Sequence, residues 1–383
     1  MYKILTLYGT RPQLIKAAAI SRAFKNLYPN GINEILVDSG QHYDENMSEV
    51  FYRELNMKSP DYNLKSKAGS HAQQTAGIMQ GFEEVVIKEK PSSVIVFGDT
   101  TTTIAGALVA SKEKVPVIHI EAGLRSYNKS MPEEINRVVT DHLSTLLFTP
   151  TVRGIINLKN EGIRGENENK CEPDTPCIHL TGDVMLDSLL YFSSQNLLNE
   201  SFLNKYNLGK ENYLVVTLHR QSNTNDEKKL KLFVRLIEQI SLEFNIDIIF
   251  PVHPRIWKFI NLNFKSSDNF QIIPAVSYLE MLSLVKYSKL ILTDSGGLQK
   301  EAYFLQKPSL ILRNETEWQE LTDNGYAILT GLDRDKIFSG IDHFNRSRLN
   351  FNKDLYGDGK AAELIVKIIY TFLSEKKKEK IKV

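Results

Sequence analysis

The stretch SSVIVFG (92–98), TTIAGALVASKEK (102–114) and VPVIHI (115–120) decides the fold of this chain. Its first and last parts are short runs rich in Val and Ile that are apolar throughout. Continuous apolar runs of this length are typical of parallel strands that are covered on both faces. The segment between them is long enough for about three turns of helix. The stretch therefore predicts a strand–helix–strand unit of a parallel sheet.

The same alternation of strand and helix patterns extends along the whole chain. The other predicted strands are YKILTLY (2–8), INEILVDS (32–39), TLLFTP (145–150), YLVVTLH (213–219), NIDIIFPV (245–252), FQIIPA (270–275), KLILTD (289–294) and PSLILR (308–313). This order predicts an α/β protein with two Rossmann-like, doubly wound domains. We place the first domain at 1–180, completed by a C-terminal helix at 361–383, and the second at 181–360. The linker is predicted near Thr181–Asp187.

Length, composition and charge restrict the class of protein. The 383 residues suit about two domains, and the composition is 42% hydrophobic and 24% charged, which allows sizeable cores. A formal net charge of +1 gives no electrostatic support for a nucleic-acid partner. No apolar run is long enough to span a bilayer, and the start, MYKILTLYGT, has the pattern of a strand rather than a signal peptide. A cytoplasmic protein is expected.

The two cysteines, Cys171 and Cys177, lie in one polar stretch, GENENKCEPDTPC (165–177). There is no second cysteine pair and no histidine cluster nearby, so a zinc site is not expected. A disulfide is not expected in a reducing compartment either. The pattern predicts two loop thiols without a role and no metal site.

Acidic residues follow two neighbouring predicted strands. Asp99 ends the run in VIVFGDTTTT, and Glu121 ends the run in VPVIHIEAGLR. Ligands of open α/β sheets bind outside the carboxyl ends of the strands, so both carboxylates should reach one cleft. Clustered acids in a cleft are a usual arrangement for proton abstraction and return. Glu133 in MPEEINR fits this role less directly, because Pro followed by two acids also suits any helix N-terminus.

Two predicted strand-to-helix turns have features of anion sites. In LTDSGGLQKEAYFL (292–305), the turn Ser295-Gly296-Gly297 precedes a helix, and Glu301 lies about one turn into it, within reach of a ribose. In GTRPQLIK (9–16), Arg11 and Lys16 flank the start of a helix. Both stretches also have an ordinary structural interpretation. The first is compatible with a plain glycine-containing turn between a strand and a helix, and the second with a capped helix whose arginine is solvated.

Histidine and arginine residues also end strands in the second half of the chain. His219 and Arg220 end and follow the run YLVVTLH, His253 and Arg255 lie in PVHPR, and Arg313 ends PSLILR. A single strand-end histidine is more often structural, but three such ends at one sheet edge favour a binding site. Acids on one sheet and phosphate-binding groups on the other predict a sugar nucleotide held in a cleft between the domains.

Several ordered motifs resemble the non-hydrolysing UDP-N-acetylglucosamine 2-epimerases. The motifs are GTRPQLIK, GQHYDENMS, GDTTTT, HIEAGLRS, MPEEINR, VVTLHR, PVHP, LTDSGGLQKEA and LRNETE. The resemblance runs from about residue 3 to 330 and implies a GT-B-like pair of domains facing across a cleft. It also implies a homodimer, no metal or nicotinamide cofactor, and a place in cell-surface polysaccharide biosynthesis. The implied reaction interconverts UDP-GlcNAc and UDP-ManNAc: UDP is eliminated to leave a 2-acetamidoglucal and is then re-added.

The resemblance assigns roles by motif. The implied catalytic residues are Asp99, Glu121, Glu133 and His219. The implied UDP-binding residues are Arg11, Lys16, His253, Ser295, Gly296, Glu301 and Arg313. Among these, the resemblance places Glu301 at the ribose and Ser295 and Gly296 at the diphosphate.

Two departures from the family pattern concern regulation and the sugar. Many bacterial members bind a second UDP-GlcNAc as an activator through a Gln-His-Arg patch and a later arginine. This chain has Gln41-His42-Tyr43-Asp44 and, later, KSKAGSHAQQTAG (65–77) without arginine, so activation by substrate is not expected. Trp318 in LRNETEWQE stands where many members have arginine.

The sequence leaves several functions open. GQHYDENM, SHAQQT and TEW resemble relatives that epimerise modified sugars, such as a UDP-diacetamido-glucuronate or a UDP-6-deoxy-HexNAc. A GT-B glycosyltransferase that uses a UDP-sugar, a hydrolysing epimerase and a non-enzymatic sugar-nucleotide sensor are also compatible with these residues. GDTTTT, where the hydrolysing branch has an Asp-Arg turn, argues against hydrolysis.

Overall fold

The protein forms two compact units. The computed structural model describes residues 1–41, 52–66, 69–165, 170–198, 200–351 and 354–382, with the side chains of 221–222 and 379–382 left out. The first unit comprises Met1–Leu190 together with Asp354–Val383, and the second comprises Tyr191–Lys353. None of the helices in these described ranges is both long and apolar enough to cross a membrane.

The first unit is built on a parallel sheet of seven strands. Its strands are β1 (Tyr2–Tyr8), β2 (Ile32–Asp38), β3 (Tyr62–Asn63), β4 (Ser93–Phe97), β5 (Val117–Ile120), β6 (Leu146–Thr149) and β7 (Cys177–Leu180). Its helices are α1 (Arg11–Leu27), α2 (His71–Glu89), α3 (Thr101–Lys112), α4 (Pro132–Leu143), α5 (Val152–Asn160), α6 (Val184–Ser194), which extends into the second unit, and α15 (Ala361–Lys382). The strand order is β3-β2-β1-β4-β5-β6-β7.

The second unit contains a parallel sheet of six strands. Its strands are β8 (Tyr213–Thr217), β9 (Asp247–Val252), β10 (Phe270–Pro274), β11 (Leu290–Thr293), β12 (Ser309–Ile311) and β13 (Ala327–Leu329). Its helices are α7 (Ser201–Asn204), α8 (Gln221–Thr224), α9 (Glu227–Phe244), α10 (Pro254–Asn263), α11 (Tyr278–Tyr287), α12 (Gly296–Phe304), α13 (Gln319–Asp323) and α14 (Arg334–Arg346). The strand order is β10-β9-β8-β11-β12-β13.

Both sheets reverse their direction of strand addition at one point, between β1 and β4 and between β8 and β11. Loops leave the sheet in opposite directions at such a point, which opens a crevice at the carboxyl ends of the strands. Two deeply buried cores flank the sheets: one packs β1 and β4 against α2 and α3, and the other packs β8 and β9 against α9.

The predicted α/β class with two doubly wound, Rossmann-like domains is confirmed. Each predicted strand corresponds to an observed one, whereas β3, β7 and β13 were not predicted. These three end their sheets and are partly exposed, so they lack the continuous apolar run of a central strand. The domain boundaries given above, 1–180 with 361–383 and 181–360, stay a prediction.

The prediction that the two cysteines are loop thiols without a role is wrong. Cys171 and Cys177 form a disulfide, with 5.4 Å between their Cα atoms. The intervening residues turn back on themselves, because Glu172 and Thr175 pair as an isolated antiparallel bridge. This turn brings Cys171 next to Cys177, and both side chains are buried. A polar stretch between two cysteines gave no sign of this pairing in the sequence.

Candidate active site

Glu121, directly after β5, is paired with a buried lysine. The Lys16 Nζ atom lies 2.5 Å from the Glu121 Oε1 atom, and the two side chains are only 6% and 11% exposed. Lys16 comes from α1, which follows β1, so strands on both sides of β4 contribute to this pair. The structure thus brings together two of the residues that the sequence predicted as functional, from opposite sides of β4.

The backbone around this pair is unusual. Glu121 has φ of +70°, a left-handed conformation that non-glycine residues rarely adopt. Such conformations are concentrated at functional sites, where the surrounding structure maintains them. Gly98 also has a positive φ, +60°, and a Cβ atom on it would lie 3.1 Å from the Glu121 Oε1 atom. A side chain at position 98 would therefore crowd the Lys16–Glu121 pair.

Asp99, directly after Gly98, is held by two residues of α4. Arg137 donates a hydrogen bond from Nη2 to the Asp99 Oδ2 atom, and Asn136 donates from Nδ2 to the Asp99 carbonyl at 2.9 Å. The Asp99 side chain is 27% exposed, whereas that of Arg137 is only 2% exposed. Sequence reasoning missed Arg137. The sequence feature that could have indicated Arg137 is its position in EEINR, one helical turn after Glu133.

The two adjacent acids of α4 have different environments. Glu134 is buried and accepts hydrogen bonds from the backbone N–H groups of Ser126 and Tyr127, at 2.9 and 2.8 Å. Arg137 donates to it as well, at 3.0 Å. Glu133 lies in the same first turn and is only partly buried. Glu134 therefore anchors the loop that precedes α4, whereas the catalytic role of Glu133 stays a prediction.

A buried polar network supports the loop that follows β5. His119 places its Nε2 atom 2.7 Å from the Gly98 carbonyl and its Nδ1 atom 2.7 Å from Asp141. Arg125 donates to Asp141 at 2.7 Å and to both carboxylate oxygens of Glu161. Burial opposes the charge of Asp141, but the neighbouring His119 and Arg125 lower the pKa of its carboxyl below the ordinary value. This network fixes the ends of β4 and β5 relative to each other.

The remaining predicted residue of the first unit is Arg11, the first residue of α1. The turn before it is tied to the sheet by Gln13, whose Oε1 atom accepts from the Gly9 N–H at 2.9 Å. The Nε2 atom of Gln13 donates to the Phe97 carbonyl at 2.8 Å. Gln13 thus connects the ends of β1 and β4, the strands that precede Arg11 and Asp99.

Asp294 organises the strand ends of the second unit, a role that sequence reasoning missed. This buried carboxylate accepts from the backbone N–H groups of His219 and Arg220, at 3.1 and 3.0 Å. The His219 Nδ1 atom lies 3.4 Å from it. The His219 ring also stacks on the ring of His253, with 6.0 Å between their centroids. Asp294 thereby positions His219 and Arg220. The sequence showed it only as an acid at the end of the predicted strand KLILTD.

The predicted phosphate turn lies against a buried charge cluster. Ser295 caps α12, accepting from the Leu298 N–H at 3.4 Å, and a Cβ atom at Gly296 would lie 2.4 Å from the Glu317 Oε1 atom. The Arg313 Nη1 atom lies 2.9 Å from the other oxygen of Glu317, and both side chains are buried. The structure therefore brings Gly296 and Arg313 together through Glu317, a residue that the sequence did not single out.

Glu301 and Trp318 lie in the same region of the second unit. Glu301 is buried on α12, one residue after Lys300, whose Nζ atom lies 3.9 Å from the centroid of the Trp318 ring. His219, predicted as catalytic, and the predicted UDP-binding residues of this unit all lie after the carboxyl ends of strands in one sheet; the latter are His253, Ser295, Gly296, Glu301 and Arg313. His42, Tyr43 and Asp44, named above for regulation, lie outside the described residues.

A comparison with known families identifies the family of the chain. A family model described as UDP-N-acetylglucosamine 2-epimerase matches residues 26–370. The chain belongs to this family. The predicted family and the predicted enzyme class, an epimerase and thus an isomerase, are confirmed.

Individual members of the epimerase family resemble the chain over nearly its whole length. A UDP-N-acetylglucosamine 2-epimerase homolog of Methanococcus maripaludis is 43% identical over 96% of this chain and 99% of its own. A UDP-2,3-diacetamido-2,3-dideoxy-D-glucuronate 2-epimerase of Pseudomonas aeruginosa is 42% identical, with the same coverage. The structure of Methanocaldococcus jannaschii UDP-GlcNAc 2-epimerase in complex with UDP-GlcNAc and UDP superposes with a TM-score of 0.86, at 40% identity and coverages of 96% and 99%. The names of these relatives refer to different sugars.

Proposed function

We propose that this chain is a non-hydrolysing 2-epimerase of a UDP-N-acetylhexosamine, which interconverts UDP-GlcNAc and UDP-ManNAc. The observation that carries the proposal is the buried Lys16–Glu121 pair beside Asp99, at the switch point of the first sheet. Membership of the epimerase family supports the reaction class.

The first unit would supply proton transfer. One of Asp99, Glu121 and Glu133 removes the C2 proton, and the C–H electrons form the C1=C2 bond of a 2-acetamidoglucal. The C1–O bond breaks at the same time, and its electron pair leaves with UDP. A C2 proton is weakly acidic, so its base must be held close and away from water. The low exposure of Glu121 suits this requirement, and Lys16 holds its carboxylate in place.

The second unit would hold UDP. The leaving diphosphate needs positive charge and N–H donors, which Arg313 and the start of α12 at Ser295 and Gly296 can provide. Glu301 would accept from the ribose, and His219 and His253 would lie at the same strand ends. Re-addition of UDP to C1 and return of a proton to the other face of C2 complete the epimerisation.

The sugar has a second candidate. The relative named as a diacetamido-glucuronate 2-epimerase is as similar to this chain as the relatives named for UDP-GlcNAc. Trp318 does not decide between them, because it lies beside Gly296, at the turn assigned to the diphosphate. We therefore propose UDP-GlcNAc as the first substrate to test and UDP-2,3-diacetamido-glucuronate as the second.

Reaction in D2O tests the proposal. If a carboxylate removes the C2 proton, product formed in D2O carries deuterium at C2, as read by proton NMR. Glu121→Gln should lower kcat by about 100-fold or more, because a positioned acid or base contributes about 10²–10⁴. Glu113→Gln, an exposed acid at the end of α3, is the matched control and should keep full turnover.

The alternative enzyme classes predict different products in the same D2O experiment. A glycosyltransferase without acceptor incorporates no deuterium, and a hydrolysing enzyme releases UDP and free sugar in step with turnover. If neither substrate gains deuterium at C2, the elimination reaction is wrong for this chain. Near-wild-type turnover of Glu121→Gln would remove that residue from the mechanism.

A further inference from the structure

Two cysteines and a histidine meet at the edge of the first sheet, in a place unrelated to the epimerase chemistry. Cys171, Cys177 and His179 each offer one ligand atom, and these atoms all lie within 4.8 Å of one another. The cysteines are buried, and His179 is partly buried. Within the ranges that the structure describes, this is the one group of three or more histidine, cysteine or acidic side chains whose ligand atoms lie this close together.

The backbone fixes this arrangement. Cys177 and His179 are alternate residues of β7, so their side chains leave the same face of the sheet. β7 pairs with β6, which sets Cys177 opposite Leu146 and His179 opposite Phe148. The His179 ring stacks on that of Phe148, with 5.5 Å between the centroids. The Glu172–Thr175 bridge returns Cys171 to the same place. Two of the three ligands therefore stand on an ordered strand.

We propose that Cys171, Cys177 and His179 bind one Zn²⁺ when the cysteines are reduced, and that disulfide formation releases it. Two thiolates and an imidazole are ligands that Zn²⁺ prefers, with a water completing a tetrahedral site. The sulfur atoms of the disulfide lack the negative charge of thiolates and do not serve as such ligands. The structure thus represents the disulfide form of a site with two states.

The electron balance of the switch is simple. A phosphine or dithiol reductant gives two electrons to the S–S bond, which yields two thiols, and Zn²⁺ binding releases their protons. In the reverse direction, two thiolates lose one electron each to a disulfide oxidant, the S–S bond forms and the metal leaves. The neighbouring Glu172 forms an ion pair with Lys376 of α15, at 3.1 Å.

Titration with Co²⁺, a spectroscopic substitute for Zn²⁺, tests the site in the full-length protein. The chain is reduced with a phosphine, freed of metal and titrated without oxygen. We expect one Co²⁺ per chain, with a thiolate-to-cobalt charge-transfer band that Zn²⁺ abolishes, and no band in the oxidised chain. Cys171→Ser should lose the band, and His179→Gln should weaken Co²⁺ binding by about tenfold or more. The exposed His71→Gln is the matched control.

Three results would overturn the inference: no band in the reduced chain, an equal band in the oxidised chain, or unaltered Co²⁺ binding by His179→Gln. Circular dichroism establishes that each variant folds. Cys171 lies outside the strands, so Cys171→Ser carries the test if a change within β7 impairs folding. The readout does not use epimerase activity, so it stands or falls independently of the proposed function.

Discussion

Two acids that follow strands of the first unit are each held by a basic residue from a different helix. Lys16 of α1 holds Glu121, and Arg137 of α4 holds Asp99. The acids themselves could be predicted, because strand ends in an α/β sheet are visible in the sequence. Their partners could not, because residues separated by 105 and 38 positions meet only through the packing of helices on the sheet. The same limitation applies to Glu317 and Asp294 in the second unit.

Neighbouring acids of α4 offer a direct test of this distinction. Glu134→Gln should lower the free energy of unfolding by about 1–3 kcal/mol, because it weakens hydrogen bonds to a buried carboxylate that anchors Ser126 and Tyr127. Glu133→Gln should change the free energy of unfolding less, because this side chain is partly exposed, and should lower kcat. Urea denaturation and initial rates measure the two effects. Equal effects of both changes on stability, with full turnover in Glu133→Gln, would contradict the separation of roles.

At the scale of elements, central strands were predictable, whereas three of the four strands at the edges of the two described sheets were not. Strands such as β1, β4 and β8 are buried on both faces and therefore leave an apolar run in the sequence. β7 has one buried residue, and its neighbour in the sheet, β6, supplies the partner that orders it. The disulfide next to it depends on the same tertiary contacts. A local sequence pattern thus indicates whether a strand is buried. The pairing of an edge strand depends on the neighbouring strand, which is distant in sequence.

The start of α15 provides a prediction about pH. Asp187 of α6 accepts hydrogen bonds from the Ala361 and Ala362 N–H groups, at 3.2 and 2.7 Å. Burial raises the pKa of Asp187 to about 6, although these N–H groups oppose the shift. The unfolded value is about 3.9. Protonation of Asp187 therefore favours the folded state: this stabilisation is complete below about pH 4 and is lost as the pH rises through about 6.

Asp187→Asn keeps a hydrogen-bond acceptor but has no proton to lose. Relative to this variant, the wild type should lose about 2 kcal/mol of unfolding free energy between pH 4 and pH 7. Urea denaturation of both proteins at several pH values measures the difference, which also cancels the contribution of Glu34, whose pKa is likewise raised by burial to about 6. Parallel stability curves for the two proteins would show that Asp187 does not titrate in this range.

At the scale of the whole molecule, the two sheets share a strand order around their switch points but carry different chemistry. Two central strands of the first sheet are followed by acids with basic partners, whereas strands of the second are followed by histidines, an arginine and a glycine turn. The sequence predicted this division because charge type changes between the halves. It did not predict the supporting networks around Asp141 and Asp294, which are made by contacts distant in sequence. The homodimer and the cytoplasmic location stay predictions.

Regulation is also a property of the whole molecule, and it yields the last prediction. Activation by a second sugar nucleotide would need arginines that this chain lacks in GQHYDENM and in KSKAGSHAQQT. Gln41, a described residue of the first motif, accepts a hydrogen bond from Thr102 at 2.7 Å and is thereby tied to the start of α3. A chain with no second site can respond to a UDP-sugar only through its active site, so the sugar nucleotide cannot act as a separate activator.

We therefore expect hyperbolic kinetics, with a Hill coefficient of about 1. The sharper measurement starts from the 2-epimer, UDP-ManNAc, with no UDP-GlcNAc present. An unactivated enzyme begins turnover at once, whereas an enzyme that needs UDP-GlcNAc shows a lag that a trace of UDP-GlcNAc removes. A lag of this kind, or a sigmoidal rate curve, would mean that other side chains replace the missing arginines and that the site for an activator exists in this chain.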